Sequence, residues 1–475
     1  MKEIFSKLLS DALKEGLILA KKDHDEESPY SLSWLYNHKD YPCISYFDNG
    51  LPNFRLSDME KKNYTKDFGK DLKFTNIESW KKFHEFVLST PLICKHFQIG
   101  SYTPEGRKDE SVEEIWNMIY TYFFLDHFVD SYIHKHSFLY EETFANEMID
   151  NYYNSISLED LPISIMIPLL FTSFSFDCYD LMPNISIKKM STSIQLSRNI
   201  KNSYISSVHP QVIGAATHCL ELKNWTIKNT TQEFRNNSLN DISAFNEAIQ
   251  IAKRFFAALR ITKPNIETGF AQVVAIPIAW QSQYFVDIEQ TYVVSEKNYP
   301  PYFENYGWLN KLDLLIDKDA DKIKECFIAL SNSSYLNLAY NRLNKASLIS
   351  REDDSIIDIC IALEALLSSD TKTEITYRLS TRACLLNKLL PFKHYSSENI
   401  FQLCKRIYDY RSSVVHGNEK KQKQNRTIKI LDEQEIPIVN ISIEFLKHII
   451  WTLILNPDIK TPGDIDKLLF YTPPI

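Results

Sequence analysis

Apolar residues recur at helical intervals over much of the chain. Across residues 2–22, Ile4, Phe5, Leu8, Leu9, Leu13, Leu17 and Leu19 fall at mostly helical spacing with Lys and Glu between them, which predicts an amphipathic helix. Packing on its own domain is the first use for such a face, ahead of membrane binding. Between Asp23 and Pro104 the chain is rich in Asn, Asp, Pro and Tyr, and only residues 77–89 predict a helix there. Residues 110–157 predict one or two helices, with Val112, Ile115, Trp116, Ile119 and Tyr120 on one stripe.

The pattern changes near Pro162. Residues 183–198 alternate loosely and are β-branched, and 273–280 (VVAIPIAW) form a second strand-like run. Between them, residues 243–260 place Phe245, Ala248, Ile249, Ala252, Phe255, Phe256 and Leu259 on one helical face. Pro300 and Pro301 mark a linker or domain edge, after which strand signals fade. Helices are predicted at about 320–330, 332–345, 353–368, 373–390, 397–416 and 440–455, the fourth opening with Thr373 as a cap and Glu374 favourably placed in the helix dipole. The expectation is an α+β multidomain chain that is mostly helical. It comprises a mainly helical region 1–175, a mixed α/β region 176–310, an all-helical bundle 311–460 and a tail 461–475.

A length of 475 residues agrees with two or three domains. Hydrophobic residues at 44% and charged residues at 24% place the chain among ordinary globular proteins. Its aromatic content is high, with 28 Phe and 26 Tyr, and many Tyr hydroxyls will need partners where they are buried. The eight cysteines are scattered without a CxxC pair, which argues against structural zinc and for free thiols in a reducing compartment. Acidic residues interrupt the N-terminal segment, unlike a signal peptide. The best candidate for a membrane span, residues 163–174, falls short of the ~18 apolar residues required. A soluble, cytoplasmic protein without a membrane partner is expected.

A net charge of -8 speaks against a broad surface for coating nucleic acid. It leaves room for a local basic site, and the run at 419–429 carries Lys420, Lys421, Lys423, Arg426 and Lys429. As a solvated loop the run needs no further explanation; beside a polar pair it would hold a polyanion backbone.

Two constellations invite chemistry. Asp126, His127, Asp130, His134 and His136 invite a metal reading, since Asp126, Asp130 and His134 recur at intervals of four and share one helical face, but they match no established ligand motif and a hydrogen-bonded rim is the first reading. His209 and His218 read as structural. The second constellation is Arg411 and His416, which lie about 140° apart around an ideal helix. One copy is therefore an awkward site, whereas two copies across a two-fold axis would surround a groove. Imidazole moves protons near neutral pH, and a guanidinium fork stabilises charge gathering on phosphoryl oxygens. Ser412 or Ser413 would orient the phosphate or His416, although solvation on a helix surface explains them as well. The plain alternative is that His416 closes a helix C-terminus before Gly417.

The blocks IIDICIALEALLSS at 356–369, ITYRLSTRACLL at 375–386 and IYDYRSSVVHG at 407–417 resemble the Apea-like branch of the HEPN superfamily. These are helical bundles of prokaryotic toxins and antiviral defence proteins. The resemblance covers about a third of the chain. It implies that Arg411 and His416 are the Arg-x4-6-His motif of metal-independent endoribonucleases that act as homodimers without a cofactor. It further implies that Glu364 helps build the site or hold the bundle, and that Arg382 pairs with that acid or with phosphate. A mutual salt bridge is the economical expectation for two polar residues inside apolar helices. Many active members carry Asn, Asp or His directly after the motif arginine, where this chain has Ser412. Some members lack nuclease activity and serve as scaffolds binding RNA, nucleotide or a partner protein. By analogy, the region before residue 310 would sense a phage-derived or cellular trigger.

Overall fold

Helix formation at the N-terminus follows the apolar stripe. In a computed structural model the protein is described over residues 1–26, 43–58, 64–65, 77–93, 125–202, 208–228, 243–277, 291–349, 351–368, 374–429 and 435–470. Helix α1 (Lys2–Glu26) buries Phe5, Leu9, Ala12, Leu13, Leu17 and Ala20 on one face. At Gly16 the backbone approaches Val129 so closely that a Cβ would stand 2.7 Å from its methyl carbon. Strands β1 (Cys43–Tyr46) and β2 (Pro52–Asp58) form an antiparallel hairpin. Helix α2 (Glu78–Ser89), a helical segment through residue 135 and α3 (Glu142–Ser157) complete a local core around Trp80, Phe83, Val129, Tyr132 and Ile149. The expected stripe from Val112 to Tyr120 lies outside the described residues.

A six-stranded antiparallel sheet follows. Its strands are β3 (Asp160–Pro168), β5 (Cys178–Met182), β6 (Ile185–Lys189), β7 (His218–Lys228), β8 (Phe270–Pro277) and β9 (Tyr292–Asn298), in the spatial order β5-β6-β7-β3-β8-β9. Strand β4 (Thr172–Phe174) lies outside this sheet and pairs in parallel with β10 (Asp313–Leu315). The central strand β3 precedes residue 176, where the sequence pattern placed the start of the mixed region. Both its faces are covered: Ile163, Ile165 and Ile167 enter one core and Met166 another. A strand buried on both faces loses its polar alternation and resembles an apolar helix segment. The run at 183–198 divides into β6 and helix α4 (Thr192–Asn202).

Helix α5 (Ser243–Thr262) lays the predicted Phe245–Leu259 stripe into the first of these cores. The C-terminal helices are α6 (Asp317–Asn332), α7 (Asn337–Leu348), α8 (Glu352–Leu367), α9 (Ile375–Leu389), α10 (Ser397–Val415), α11 (Glu419–Asn425), α12 (Ile438–Leu455) and α13 (Pro462–Lys467). The first three and α9, α10 and α12 match the predicted segments. Thr373 lies outside the described residues, and Glu374 precedes α9 at φ 57° with no side-chain cap bond. Strand structure does not vanish after residue 310: besides β10, Thr427–Ile428 pairs with Ile436–Pro437.

One hydrophobic cluster runs from the sheet through α5 into the bundle, so apolar packing crosses residue 310 without a break. Arg260 of α5 reinforces this junction by donating to the Asn344 side chain on α7 and to the Thr268 carbonyl. At 18 residues and a mean hydropathy of 1.6, α12 is long and apolar enough to cross a membrane. The reading that made 163–174 the best candidate overlooked it. Here its Ile441, Phe445, Leu446, Ile449 and Leu453 are buried and it packs against α5 and α6 to α10. The observed architecture is a mixed helical and β middle region joined to a largely helical C-terminal region.

Candidate functional site

Helix α10 carries the Arg-His pair, and its phase is set by its own apolar positions. Ser396 caps it by accepting from the Asn399 amide at 3.2 Å, while Asn399 Oδ1 accepts from the Ser396 amide at 3.1 Å. Ile400, Leu403, Cys404, Ile407 and Tyr408 then recur at three- and four-residue steps and are buried. Continuing that period brings Arg411 to the rim of the buried face, half-buried, and leaves Ser412 exposed. Ser413 is buried, its hydroxyl donating to the Tyr410 carbonyl at 2.7 Å.

The helix ends at His416. Gly417 adopts φ +64°, its amide donates to the Val414 carbonyl at 3.1 Å, and the Asn418 amide reaches back to the Ser413 carbonyl at 2.9 Å. These two bonds satisfy carbonyls left over at the helix end, and glycine meets the left-handed geometry without a Cβ penalty. His416 is thus the C-cap residue, as the plain reading expected, and its exposed imidazole points to no described partner. A C-cap is also a place where positive charge is favoured, so the structural position and a chemical role are compatible.

The charge of Arg411 is felt by Tyr408 on its own helix and by Cys360 on α8, the same two groups that feel Glu364. The Tyr408 hydroxyl donates to Glu364 Oε1 at 3.0 Å. Burial raises the Tyr408 pKa, with Cys360 and Glu364 adding to the rise and the Arg411 charge opposing it. Burial also pushes the Cys360 thiol up to about 12, again against Arg411. Arg411 Nε is buried and has no hydrogen-bond acceptor among the described residues. A buried guanidinium N–H without an acceptor costs free energy, which a water or a ligand oxygen would recover.

The expected salt bridge between Glu364 and Arg382 does not form. Arg382 instead grips Asp466 on α13, Nε to Oδ1 and Nη2 to Oδ2 both at 2.8 Å, and gives Nη1 to the Leu367 carbonyl at 2.8 Å. The correction has a simple cause. Each residue has a nearer partner, Tyr408 for Glu364 and Asp466 for Arg382, and a bidentate fork is the better geometry for guanidinium. Arg382 is therefore a tether for the C-terminal helix, and its side chain is spoken for.

The basic run is mostly helix rather than loop. Asn418 Oδ1 caps α11 by accepting from the Lys421 amide at 3.1 Å, and Gln422 ties it back to the Ser413 carbonyl at 3.2 Å. Lys420, Lys421 and Lys423 are exposed and have no ion pair among the described residues. Arg426 differs, since Glu352 holds it through bonds of 2.8 and 3.1 Å. Three lysines thus stand free one turn beyond His416, while the fourth predicted cation is engaged. Tyr408, Cys360, Glu352 and Asp466 were not singled out from the sequence. Tyr408 stands three residues before Arg411 and Cys360 four before Glu364, spacings that would have placed each beside its neighbour.

The other constellation comes close together without forming a metal-ligand set among the described residues. Asp130 accepts from the Tyr64 amide at 2.9 Å and lies 3.8 Å from His134. Burial, with Asp130 nearby, pushes the Asp126 carboxyl up to about 8. Among the described residues, no three His, Cys, Asp or Glu side chains come together as a metal-ligand set. His209 caps a short helix by accepting from the Gln211 amide at 3.2 Å and stacks on Trp308, and His218 bonds the Phe176 carbonyl at 2.8 Å. Both have structural roles. Comparison with protein-family models, with curated proteins and with solved structures finds no match for this chain.

Proposed function

We propose that the chain is a metal-independent endoribonuclease whose site is built on the end of α10, with Arg411 and His416 as its reacting side chains. The observation that carries this reading is the partly buried Arg411 near the end of α10, whose charge is felt by Tyr408 and Cys360 and whose Nε has no acceptor among the described residues. Arg411 as a whole is only partly buried, and a guanidinium is a fitting partner for a phosphoryl oxygen. The exposed His416 stands five residues on, and Lys420, Lys421 and Lys423 follow it as exposed cations for the flanking backbone.

In the proposed reaction, His416 takes the proton of a ribose 2′-hydroxyl. The 2′-oxygen attacks the adjacent phosphorus, the bond to the 5′-oxygen breaks, and that oxygen leaves with a proton. The products are a 2′,3′-cyclic phosphate and a 5′-hydroxyl. Arg411 stabilises the charge on the non-bridging oxygens at the pentacoordinate stage. One imidazole cannot serve as acid and base on opposite sides at once, which is why a second copy of the chain enters the proposal: a homodimer would supply the second His416. Unpaired RNA suits the site, because its sugar can turn into line for attack. The resemblance of the three sequence blocks to Apea-like HEPN domains supports the same reading and suggests a cytoplasmic role in antiviral defence or toxin-type growth arrest.

A non-catalytic scaffold is the second reading, and one feature favours it: the His416 imidazole has no described partner to fix its orientation. Incubation of labelled single-stranded RNA with the full chain and with Arg411→Ala and His416→Ala, in EDTA, separates the two. The nuclease reading requires cleavage that both substitutions remove; binding without cleavage leaves the scaffold.

A further inference from the structure

Arg426 is the member of the basic run that an acid already holds. It is the C-cap of α11, and its guanidinium reaches the first turn of α8, where Glu352 accepts from Nε at 2.8 Å and from Nη2 at 3.1 Å. The pair lies at the surface, its side chains 63% and 36% exposed. Lys420, Lys423 and Arg426 recur at steps of three, so each neighbours the next along the helix surface. The clasp with Glu352 therefore withholds the last cation of a row that starts just beyond His416.

Three features make this clasp exchangeable. A surface ion pair is weak, because water and salt compete for both partners. Glu352 does not depend on Arg426 to stay charged, since it lies with Asp353 and Asp354 in the first turn of α8, where carboxylates meet the positive end of the helix dipole. The backbone beneath Arg426 is fixed: its carbonyl accepts from the Ile438 amide at 2.8 Å, and the Gln424 carbonyl accepts from Arg406 at 3.0 Å. Only side-chain torsions have to change for the guanidinium to leave Glu352 and join the lysine row.

We propose that Arg426 is a fourth phosphate contact of the RNA path, masked by Glu352 in the free protein and passed from carboxylate to phosphate when single-stranded RNA lies along α11. The proposal rests on the reading above that RNA runs past His416 onto α11, and it holds whether or not that RNA is cut. A phosphate offers the guanidinium fork the same two-oxygen face that the carboxylate does, so the exchange keeps both bonds. Binding then breaks one clasp and makes another, which leaves Arg426 with a small net effect as long as Glu352 is present. Removing the acid exposes its full contribution.

Fluorescence anisotropy of the full chain with a labelled 2′-O-methyl single-stranded oligonucleotide, which keeps the phosphates and lacks the nucleophile, tests the exchange. Glu352→Gln should tighten binding about two- to fivefold. Arg426→Ala should weaken binding at least about threefold more in the Glu352→Gln background than in the wild type. Asp354→Asn removes the same charge from the same helix turn, and in its background Arg426→Ala should act as it does in the wild type. An Arg426→Ala effect equal in the wild-type and Glu352→Gln backgrounds overturns the proposal and makes Glu352 a general repulsive charge, while the nuclease reading stands. Absence of saturable binding by every variant overturns the proposal and the RNA path together. Thermal unfolding verifies each variant, and Glu352→Ala repeats the cycle if Glu352→Gln does not fold.

Discussion

The Tyr408 hydroxyl donates to Glu364 across 3.0 Å, joining α10 to α8 just before the helix presents Arg411. The bond fixes the spacing between the two helices one turn before Arg411. Tyr408→Phe keeps the ring and removes the donor, leaving a half-buried carboxylate unsatisfied. Chemical denaturation should register a loss of about 1–2 kcal/mol. A midpoint unchanged from the parent would mean that water replaces the hydroxyl at no cost.

Arg382 and Asp466 provide a pH-dependent tether. The hydrogen bonds from Arg382 hold the Asp466 carboxyl below the ordinary carboxylate range. A depressed folded-state pKa stabilises the fold at pH above the unfolded-state pKa of about 3.9. That contribution is lost as pH falls through the folded-state value. Asp466→Asn should therefore lower the melting temperature at neutral pH, and the gap to wild type should close towards pH 3. Because Asp466 is 47% exposed, solvent screening keeps the effect near 1 kcal/mol. A gap that stays constant across the acid range would assign the loss to shape rather than charge.

Asp126 behaves with the opposite sign. Burial and Asp130 raise its folded-state pKa to about 8, so the protonated form is favoured by folding. This contribution is complete below the unfolded-state pKa of about 3.9 and is lost as pH rises towards 8. Asp126→Asn should remove this component of the pH dependence and gain stability relative to wild type near pH 8. Melting curves across pH 5–9 that run parallel for the two proteins would contradict the assignment.

Gly417 closes α10 at φ +64°. Gly417→Ala retains room for its methyl, since nothing stands within 4 Å of a built Cβ, but it strains the backbone. A stability loss of about 1 kcal/mol is expected. Cleavage should fall by more than stability explains if the orientation of His416 at the adjacent cap matters. Equal loss of fold and activity would point to stability alone.

Lys420, Lys421 and Lys423 should act on RNA through phosphate charge. Changing all three to Ala should weaken binding at every sequence alike. The slope of log affinity against log salt should fall by about 2, at roughly 0.7 per single-strand phosphate contact. Arg426→Ala should have the smaller effect because Glu352 already neutralises it. Fluorescence anisotropy over a salt series distinguishes these outcomes; an unchanged slope in the triple variant would move the RNA path away from α11.

The long amphipathic elements were legible in the sequence because period and burial agree. The α5 stripe and the apolar positions of α10 appear in the core where spacing puts them. Strand β3 was not, since burial on both faces removes the alternation that marks a strand. Helix α12 was legible as a helix but not as an apolar segment of span length, because Glu444, Lys447 and His448 interrupt its apolar run; in the structure it packs in the core. At the candidate site, the end of α10 could be placed from Gly417, yet the partners of Glu364 and Arg382 could not. Those partners sit 44 and 84 residues away in the chain, and pairing across such separations is decided by helix packing rather than by local pattern.

The most direct test of the account is the chemistry of RNA ends left by the full chain in the presence of EDTA. Transesterification through His416 predicts 2′,3′-cyclic phosphate and 5′-hydroxyl termini, absent when folded His416→Ala replaces the wild type. Cleavage that persists in His416→Ala, or that leaves 5′-phosphate ends, would contradict the assignment of His416 and Arg411 as the reacting pair.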